Sequence, residues 1–447
     1  MRAVTQCENA SPTCMQFPRI KVSLAISVVL ALQFFVSSAM AGTAAEIRDW
    51  REDLHFMAVQ MEKTHKNLYH SISRNDFAAR VEGLDARIPS LTRAEFIVGL
   101  AQIVAAVGDG HTNIYPTRDA KIGFHTLPVA FTYFGDGLYV RAVPQSERSL
   151  LGARVLRIGN LSTEEAYAAV RTMVGHENES GVRYWAQYLL AMPEVLEALH
   201  ITSSVDDVPL TLQTQGGESH VTLRPMGLAP LMSGDTSTLF ERQPGWVDVR
   251  DLAPGPDPLW LQDLTRTFRI ERVGQLLYVQ INKIGNAPDE TLERFAQRLR
   301  GEISSMKPDK VAIDLRQNRG GDGTLIIPLV RSLIQSENID QPGRLFAIIG
   351  PATFSAAQML VDDLEKYTNV LFVGEPTGSK GNAYGDSRKI ILPNTGVTVR
   401  ASIYYWQDWH PLDTRDATVP QIPASLTFKD YSEKVDPAIR AILAYKP

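Results

Sequence analysis

The stretch RLFAIIGPATFSAAQMLVDDLEK, residues 344–366, passes from a short apolar run into a segment of helical composition. RLFAII has the β-branched content of a buried strand, and SAAQMLVDDLEK is rich in residues that favour helices. The stretch therefore predicts a strand, a turn and a helix, with Ser355 where the helix begins. A serine at that place is either an N-cap, accepting a hydrogen bond from the first turn of the helix, or a nucleophile.

The same alternation of strand and helix continues on both sides of this stretch. QLLYVQIN (residues 275–282), KVAIDL (310–315) and NVLFV (369–373) have the pattern of strands. Apolar residues repeat at helical spacing between them, as in Leu292, Phe295, Leu299 and Ile303. Strands that alternate with helices predict βαβ units and a largely parallel sheet.

A glycine-rich loop, RQNRGGDG at residues 316–323, follows the strand KVAIDL. Open α/β sheets bind ligands at the carboxyl ends of their strands, and glycines there let backbone N–H groups come close. If the two strands are neighbours, Gly320 and Gly321 lie near Ser355. Their N–H groups and that of Ala356 could then hold an oxyanion. The alternative is a tight turn between strand and helix.

A nucleophilic serine needs a base, and the sequence offers three candidates. Lys380 lies in the glycine-rich GEPTGSKGNAYG (residues 374–385), and His111 lies in GDGHT (108–112). His410 is close in sequence to Asp413 and Asp416, and a nearby carboxylate could orient it. Spacing by itself leaves all three open.

The N-terminus has the pattern of a secretory signal peptide. Arg19 and Lys21 precede a 15-residue apolar run, residues 22–36, and small residues at Ala39 and Ala41 follow it. The alternative, a membrane anchor, needs about 20 apolar residues. We therefore expect cleavage after Ala41, which leaves no stable membrane anchor and makes the protein periplasmic or secreted.

Composition excludes several kinds of function. Both cysteines, Cys7 and Cys14, precede the cleavage site, so the mature chain would have no disulfide, thiolate metal site or cysteine nucleophile. The formal net charge of the 447 residues is −5, and no basic stripe indicates a nucleic-acid partner. The length predicts more than one domain.

Four segments together resemble one family. DLRQNRGG (314–321), TFSAAQ (353–358), GEPTG (374–378) and GDGHT (108–112) are similar to motifs of the tail-specific, or C-terminal-processing, serine proteases, which include the tricorn core protease. The resemblance covers most of the mature chain and is strongest over residues 274–447.

The resemblance implies a fold and a domain order. The fold is α/β, with a crotonase-like (ClpP-related) catalytic domain of parallel βαβ units, a helical N-terminal segment and a β-rich, PDZ-like middle region. The implied division is a signal peptide (1–41), an N-terminal helical domain (42–116), a PDZ-like region with a helical insertion (117–226), a linker (227–264) and the catalytic domain (265–447).

The resemblance also implies site residues, with no metal or cofactor. Ser355 is the nucleophile, and N–H groups of Gly320, Gly321 and Ala356 hold the oxyanion. One branch of the family uses a lysine 25 residues after the serine, where Lys380 stands, but GEPTGSKG departs from that branch by placing a serine before the lysine. The other branch uses a histidine and a downstream acid, which here are His111 and Asp413. The overall layout favours His111.

The resulting hypothesis is an exported serine-type endopeptidase that acts through an acyl-enzyme on a peptide or protein substrate. The alternative is a catalytically silent relative that binds a hydrophobic ligand or a peptide. The substrate and the oligomeric state stay open at this stage.

Overall fold

The computed structural model describes residues 42–227 and 239–446. The predicted signal peptide, residues 1–41, lies outside the described residues, as does part of the predicted linker, residues 228–238. The residues described in these two ranges belong to one compact unit. No helix within the described ranges is both long enough and apolar enough to cross a membrane.

Helices dominate the start of the described chain and recur between the later strands. The helices are α1 Ala44–Thr64, α2 Arg74–Arg87, α3 Arg93–Ala105, α4 Thr163–Arg171, α5 Glu179–Leu189, α6 Pro193–Ala198, α7 Leu292–Met306, α8 Ile327–Ile334, α9 Ala356–Tyr367, α10 Phe428–Ser432 and α11 Pro437–Ala444. A capping box stands at the start of α3, where the side chains of Thr92 and Glu95 each accept the other residue's backbone N–H.

The strands of the described residues form two larger sheets and two pairs of strands. They are β1 His125–Thr126, β2 Ala130–Phe134, β3 Gly137–Pro144, β4 Arg154–Ile158, β5 Leu161–Ser162, β6 Val208–Thr214, β7 Gly217–Leu223, β8 Met226–Gly227, β9 Trp246–Asp248, β10 Phe268–Val273, β11 Leu276–Ile281, β12 Lys310–Asp314, β13 Leu345–Ile349, β14 Leu371–Gly374, β15 Asn382–Ile391, β16 Thr398–Gln407 and β17 Ile422–Pro423.

The βαβ prediction is confirmed by the six-stranded sheet in the second half of the chain, whose strand order is β10-β11-β12-β13-β14-β17. Strands β11 to β14 and β17 run parallel, and β10 is antiparallel to β11. Because β12 and β13 are neighbours in register, with Asp314 beside Ile348, their carboxyl ends meet at one edge. The glycine loop after β12 and Ser355 after β13 are therefore brought together, as the sequence predicts.

The first larger sheet is antiparallel and lies in the middle of the chain. Its main order is β2-β3-β4-β6-β7, with β5 beside β4 and β9 beside β3. Strand β9 and the buried Trp260 both fall inside the predicted linker, and Trp260 packs against Phe240 and Tyr431. The described part of the predicted linker is therefore packed against the rest of the protein, because burial of its apolar side chains is favourable. The domain limits themselves stay a prediction.

A long two-stranded ribbon, β15 and β16, packs against the helices at the start of the described chain. Among the described residues the two strands pair only with each other, apart from a bridge between Asn113 and Arg400. The inner residues of the ribbon, such as Val399 and Ala401, belong to the same apolar core as helices α1 to α3. This packing holds the loop after α3, which contains His111, against the carboxyl edge of the parallel sheet.

Candidate active site

Ser355 sits on a strained turn between β13 and α9. Its backbone has φ +58° and ψ −129°, a conformation that residues with a Cβ seldom adopt. The Ser355 side chain makes no N-cap hydrogen bond to α9. Its Oγ lies 3.0 Å from Nε2 of His111 instead. Of the two roles open to a serine at this position, the geometry fits a nucleophile, half-buried at a strand-to-helix turn.

His111 is held against the serine by its loop and by an aromatic neighbour. Its ring stacks on Phe354, the residue before Ser355, with ring centroids 4.5 Å apart. Burial lowers the pKa of His111 below its ordinary value, while the charges of Asp109 and Asp386 raise it and that of Arg319 lowers it. The ring is therefore neutral at neutral pH and able to accept the Ser355 proton.

The other ring nitrogen of His111, Nδ1, is buried and has no hydrogen-bond partner of good geometry within the described residues. The backbone of Tyr384 is close enough to favour the protonated ring. No carboxylate in the described part of the chain therefore fills the place that the acid of a serine triad has beside its histidine.

The oxyanion prediction needs one correction. The N–H of Gly320 donates to Oδ1 of Asn318 at 2.9 Å, so it is already occupied. The N–H groups of Gly321 and Ala356 have no acceptor within the described residues. Gly321 and Ala356 are thus the donors left to hold an oxyanion, since a preorganised donor must be free before the charge develops.

Gly320 serves a steric purpose instead. Its φ is +102°, and a Cβ placed on it would lie 2.7 Å from Cβ of Ser355 and 2.9 Å from the Ala356 nitrogen. Only glycine lets the loop approach the serine this closely.

We expect Gly320→Ala to lower peptide turnover on the order of 10²- to 10³-fold, the scale of losing one oxyanion donor, because the new methyl displaces Ser355 or the Ala356 N–H. The measurement is kcat on a fluorogenic peptide. Gly301→Ala is the matched control, since a Cβ there meets open space. Turnover at the parent rate in Gly320→Ala would refute this account of the loop.

Lys380, the second candidate base, lines the same cleft but does not bond the serine. The cleft has a volume of about 510 Å³ and is lined by His111, Ser355 and Lys380 among others. Lys380 is half-buried and forms no hydrogen bond or ion pair within the described residues. The structure therefore brings His111, and not Lys380, into contact with Ser355.

Asp413 and His410 are placed away from the serine. Asp413 accepts hydrogen bonds from the backbone and side chain of Arg415, both at 2.8 Å, and these bonds lower the pKa of Asp413. Nδ1 of His410 accepts the N–H of Leu412. The predicted contact between Asp413 and His111 is absent from the described structure, because Asp413 lines a separate pocket with Trp409 and Arg415 and not the cleft of His111.

Two acidic residues that sequence reasoning missed bind the His111 loop. Asp109 accepts the backbone N–H groups of His111 and Thr112, and Glu177 accepts that of Gly110 at 2.9 Å. Asp109 stands inside the GDGHT motif and could have been suspected as a turn residue. Glu177 lies 67 residues from Gly110 in a separate loop, and nothing in the sequence indicated that contact.

The Glu177 carboxyl group is buried, and burial together with the nearby Asp109 charge raises its pKa to about 7. A carboxyl whose pKa is raised by folding destabilises the folded state as pH rises from its ordinary 4.5 to about 7. Glu177→Gln keeps an acceptor for Gly110 and cannot ionise. We expect it to increase the free energy of unfolding more at pH 8 than at pH 5, measured by urea denaturation. The exposed Glu293→Gln is the control; an equal gain at both pH values would contradict the prediction.

Comparison with known proteins identifies solved structures that share the fold of this chain. No protein-family model and no curated protein matches the sequence. A structure of CPAF with a serine-to-alanine mutation aligns over 90% of this chain and 99% of its own, at 12% identity and a TM-score of 0.61. Mature CPAF complexed with lactacystin aligns over 89% and 97%, at 13% identity and a TM-score of 0.59. The chain has the fold of the S41, or C-terminal-processing, protease family. The photosystem II D1 C-terminal processing protease also aligns, over 87% and 94%, at 15% identity and a TM-score of 0.40.

Hydrogen bonds from neighbouring elements support the glycine loop after β12. Arg316 bonds Asp314 at the end of β12 and Asp436 before α11, at distances of 2.9–3.1 Å. Asn318, which accepts the Gly320 N–H, donates in turn to the carbonyl of Ile281 at 3.0 Å. These buried bonds fix the loop before any substrate arrives, as transition-state stabilisation requires.

Proposed function

We propose that this protein is an exported serine-type peptidase that cleaves peptide bonds through an acyl-enzyme at Ser355. The observation that carries the proposal is the 3.0 Å contact between Ser355 Oγ and His111 Nε2, beside two free backbone N–H groups. The S41 fold supports it, because the sequence motifs that resemble this protease family fall at the same edge of the sheet. Nucleophile, base and oxyanion donors are the parts that acyl transfer needs.

The proposed reaction has two steps, acylation of Ser355 and hydrolysis of the acyl-enzyme, and His111 acts in both. His111 takes the Ser355 proton as Oγ attacks the peptide carbonyl, and the N–H groups of Gly321 and Ala356 hold the oxyanion. The tetrahedral intermediate collapses, the C–N bond breaks, and His111 gives its proton to the leaving amine. Water then attacks the acyl-enzyme with His111 again as base, releasing the acid and restoring Ser355.

The proposed substrate is a peptide or protein segment in extended form. The cleft is bordered by Ala383 and Tyr384 on β15, which pairs only with β16. An extended chain could add along that strand by main-chain hydrogen bonds. The antiparallel sheet of β2 to β7 is the region proposed as PDZ-like. Export is proposed from the signal-peptide pattern of residues 1–41, and N-terminal sequencing of the protein secreted by its host tests the cleavage after Ala41.

The deciding experiment is labelling of the folded protein with a fluorophosphonate, followed by peptide mapping. We expect one adduct, on Ser355, together with hydrolysis of casein or a fluorogenic peptide. Heat-unfolded protein is the control, since an activated serine depends on the folded site. A folded protein that takes no label and cleaves nothing would sink the peptidase proposal and favour the silent, ligand-binding alternative.

A further inference from the structure

We propose that Asp109 and His65 are a positioning pair for His111: Asp109 fixes the His111 loop, and His65 fixes Asp109. This inference rests on the proposed function of Ser355 and His111. It assigns the acid that supports the base to a residue two positions before the histidine, in place of Asp413.

Asp109 closes the loop with a single buried carboxylate. Its Oδ1 accepts the N–H of His111 at 3.0 Å, the N–H of Thr112 at 2.8 Å and the hydroxyl of Ser402 at 2.7 Å. Only 1% of Asp109 is exposed. A short aspartate side chain that bonds the next backbone amides defines the turn and therefore the direction of the His111 ring.

His65 donates a hydrogen bond to the other carboxylate oxygen of Asp109, and its own hydrogen bonds fix its tautomer. Its side chain is fully buried, and its Nε2 lies 2.8 Å from Oδ2 of Asp109. Its Nδ1 accepts the backbone N–H of Asn67 at 3.0 Å, so Nδ1 carries no proton. The proton must therefore be on Nε2, which donates to Asp109. Since His65 ends α1 and Asp109 follows α3, the bond ties the loop to the helical core.

The same bond argues against a metal ion among these side chains. His65, His70 and Asp109 offer ligand atoms within 4.8 Å of one another, a spacing that an ion such as zinc could use. A histidine binds a metal through an unprotonated nitrogen, however, and both nitrogens of His65 are committed to hydrogen bonds. His65 and Asp109 are thus better described as a hydrogen-bonded pair than as metal ligands.

Charge is the second contribution of Asp109. Burial raises the pKa of Asp109, but the hydrogen bonds from His65 and Ser402, together with the nearby His70, outweigh it and keep the carboxyl ionised. The charges that act on His111 are Asp109 and Asp386, which raise its pKa, and Arg319, which lowers it. Removing the Asp109 charge must therefore move the pKa of His111 further down.

The first test is Asp109→Asn. The amide keeps an oxygen for the loop but turns an N–H toward the N–H of His65, and it removes the charge. We expect kcat to fall about 10²-fold, the cost of a misplaced catalytic group, with little change in KM. The acid limb of kcat/KM should shift to lower pH. A folded variant with parental kcat and an unmoved acid limb would overturn the proposal.

A pair of His65 variants tests the proposal independently if Asp109→Asn is unstable. His65→Gln can still donate to Asp109 and is expected to keep most of the activity, whereas His65→Phe cannot and is expected to lose it. His55→Gln, at an exposed position of α1, is the control. Equal kcat in His65→Gln and His65→Phe would contradict the role given to His65. Loss of activity on chelation that Zn²⁺ restores would contradict it too, in favour of a metal site.

The readouts separate this inference from the proposed function. Wild-type protein that labels with fluorophosphonate while folded Asp109→Asn labels at the same rate defeats the positioning role and spares the peptidase. An NMR titration of the His111 ring, in a Ser355→Ala background, tests the link without activity. The His111 pKa is expected to be lower when Asp109→Asn is added to that background, and an unchanged value would overturn the electrostatic part.

Discussion

Replacing Ser355 with alanine is expected to abolish both peptide hydrolysis and fluorophosphonate labelling while leaving the protein folded. The hydroxyl is the atom that forms the acyl-enzyme, and nucleophile and base act as one unit, so the loss in kcat is on the order of 10⁶-fold. The side chain makes no cap bond to α9, so its removal costs the helix no hydrogen bond. The measurements are kcat on a fluorogenic peptide, intact mass after labelling, and circular dichroism.

Ser425→Ala is a suitable control for the Ser355 variant, because Ser425 lies in the segment before α10 and is not among the residues that line the cleft. Undiminished casein cleavage by purified Ser355→Ala, with contaminating protease excluded by inhibitor and by mass, would end the serine-peptidase proposal.

The second large effect concerns the base. His111→Ala is expected to lower kcat nearly as far as Ser355→Ala, on the order of 10⁶-fold, because the serine is then left without an acceptor for its proton. Lys380→Ala is expected to cost far less, since Lys380 only borders the cleft. Both variants are compared with the parent on the same peptide, after each is shown to be folded.

The pH profile provides an independent test of the same assignment. A histidine base acts when neutral, and burial lowers the pKa of His111 below its ordinary 6.5. Parent activity should therefore rise with pH along a limb centred below 6.5 and be complete at neutral pH. Activity that rises only in the alkaline range, together with an active His111→Ala and an inactive Lys380→Ala, would show that the lysine is the base.

The chain's own pattern predicted the strands and the helix that meet at the Ser355 edge of the sheet. The run from Arg344 to Lys366 predicted a strand, a turn and a helix, and β13 and α9 follow that order. The strand KVAIDL and its glycine loop were likewise visible, because parallel strands that are buried on both faces appear as continuous apolar runs. The sequence left open whether the two strands are neighbours; the pairing of β12 with β13 in the structure brings Gly320, Gly321 and Ser355 together.

The tertiary structure decided which side chains meet at that edge. Sequence spacing left His111, Lys380 and His410 equal as bases, because a distance of 244 residues along the chain says nothing about a distance in space. The family resemblance pointed to Asp413 as the acid, but in the structure the Asp413 carboxylate bonds Arg415. It also pointed to the Gly320 N–H as an oxyanion donor, but that N–H donates to Asn318. Local pattern determines secondary structure through backbone and solvent, whereas contacts such as those of His65, Asp109 and Glu177 depend on how α1, α3 and the β15–β16 ribbon pack.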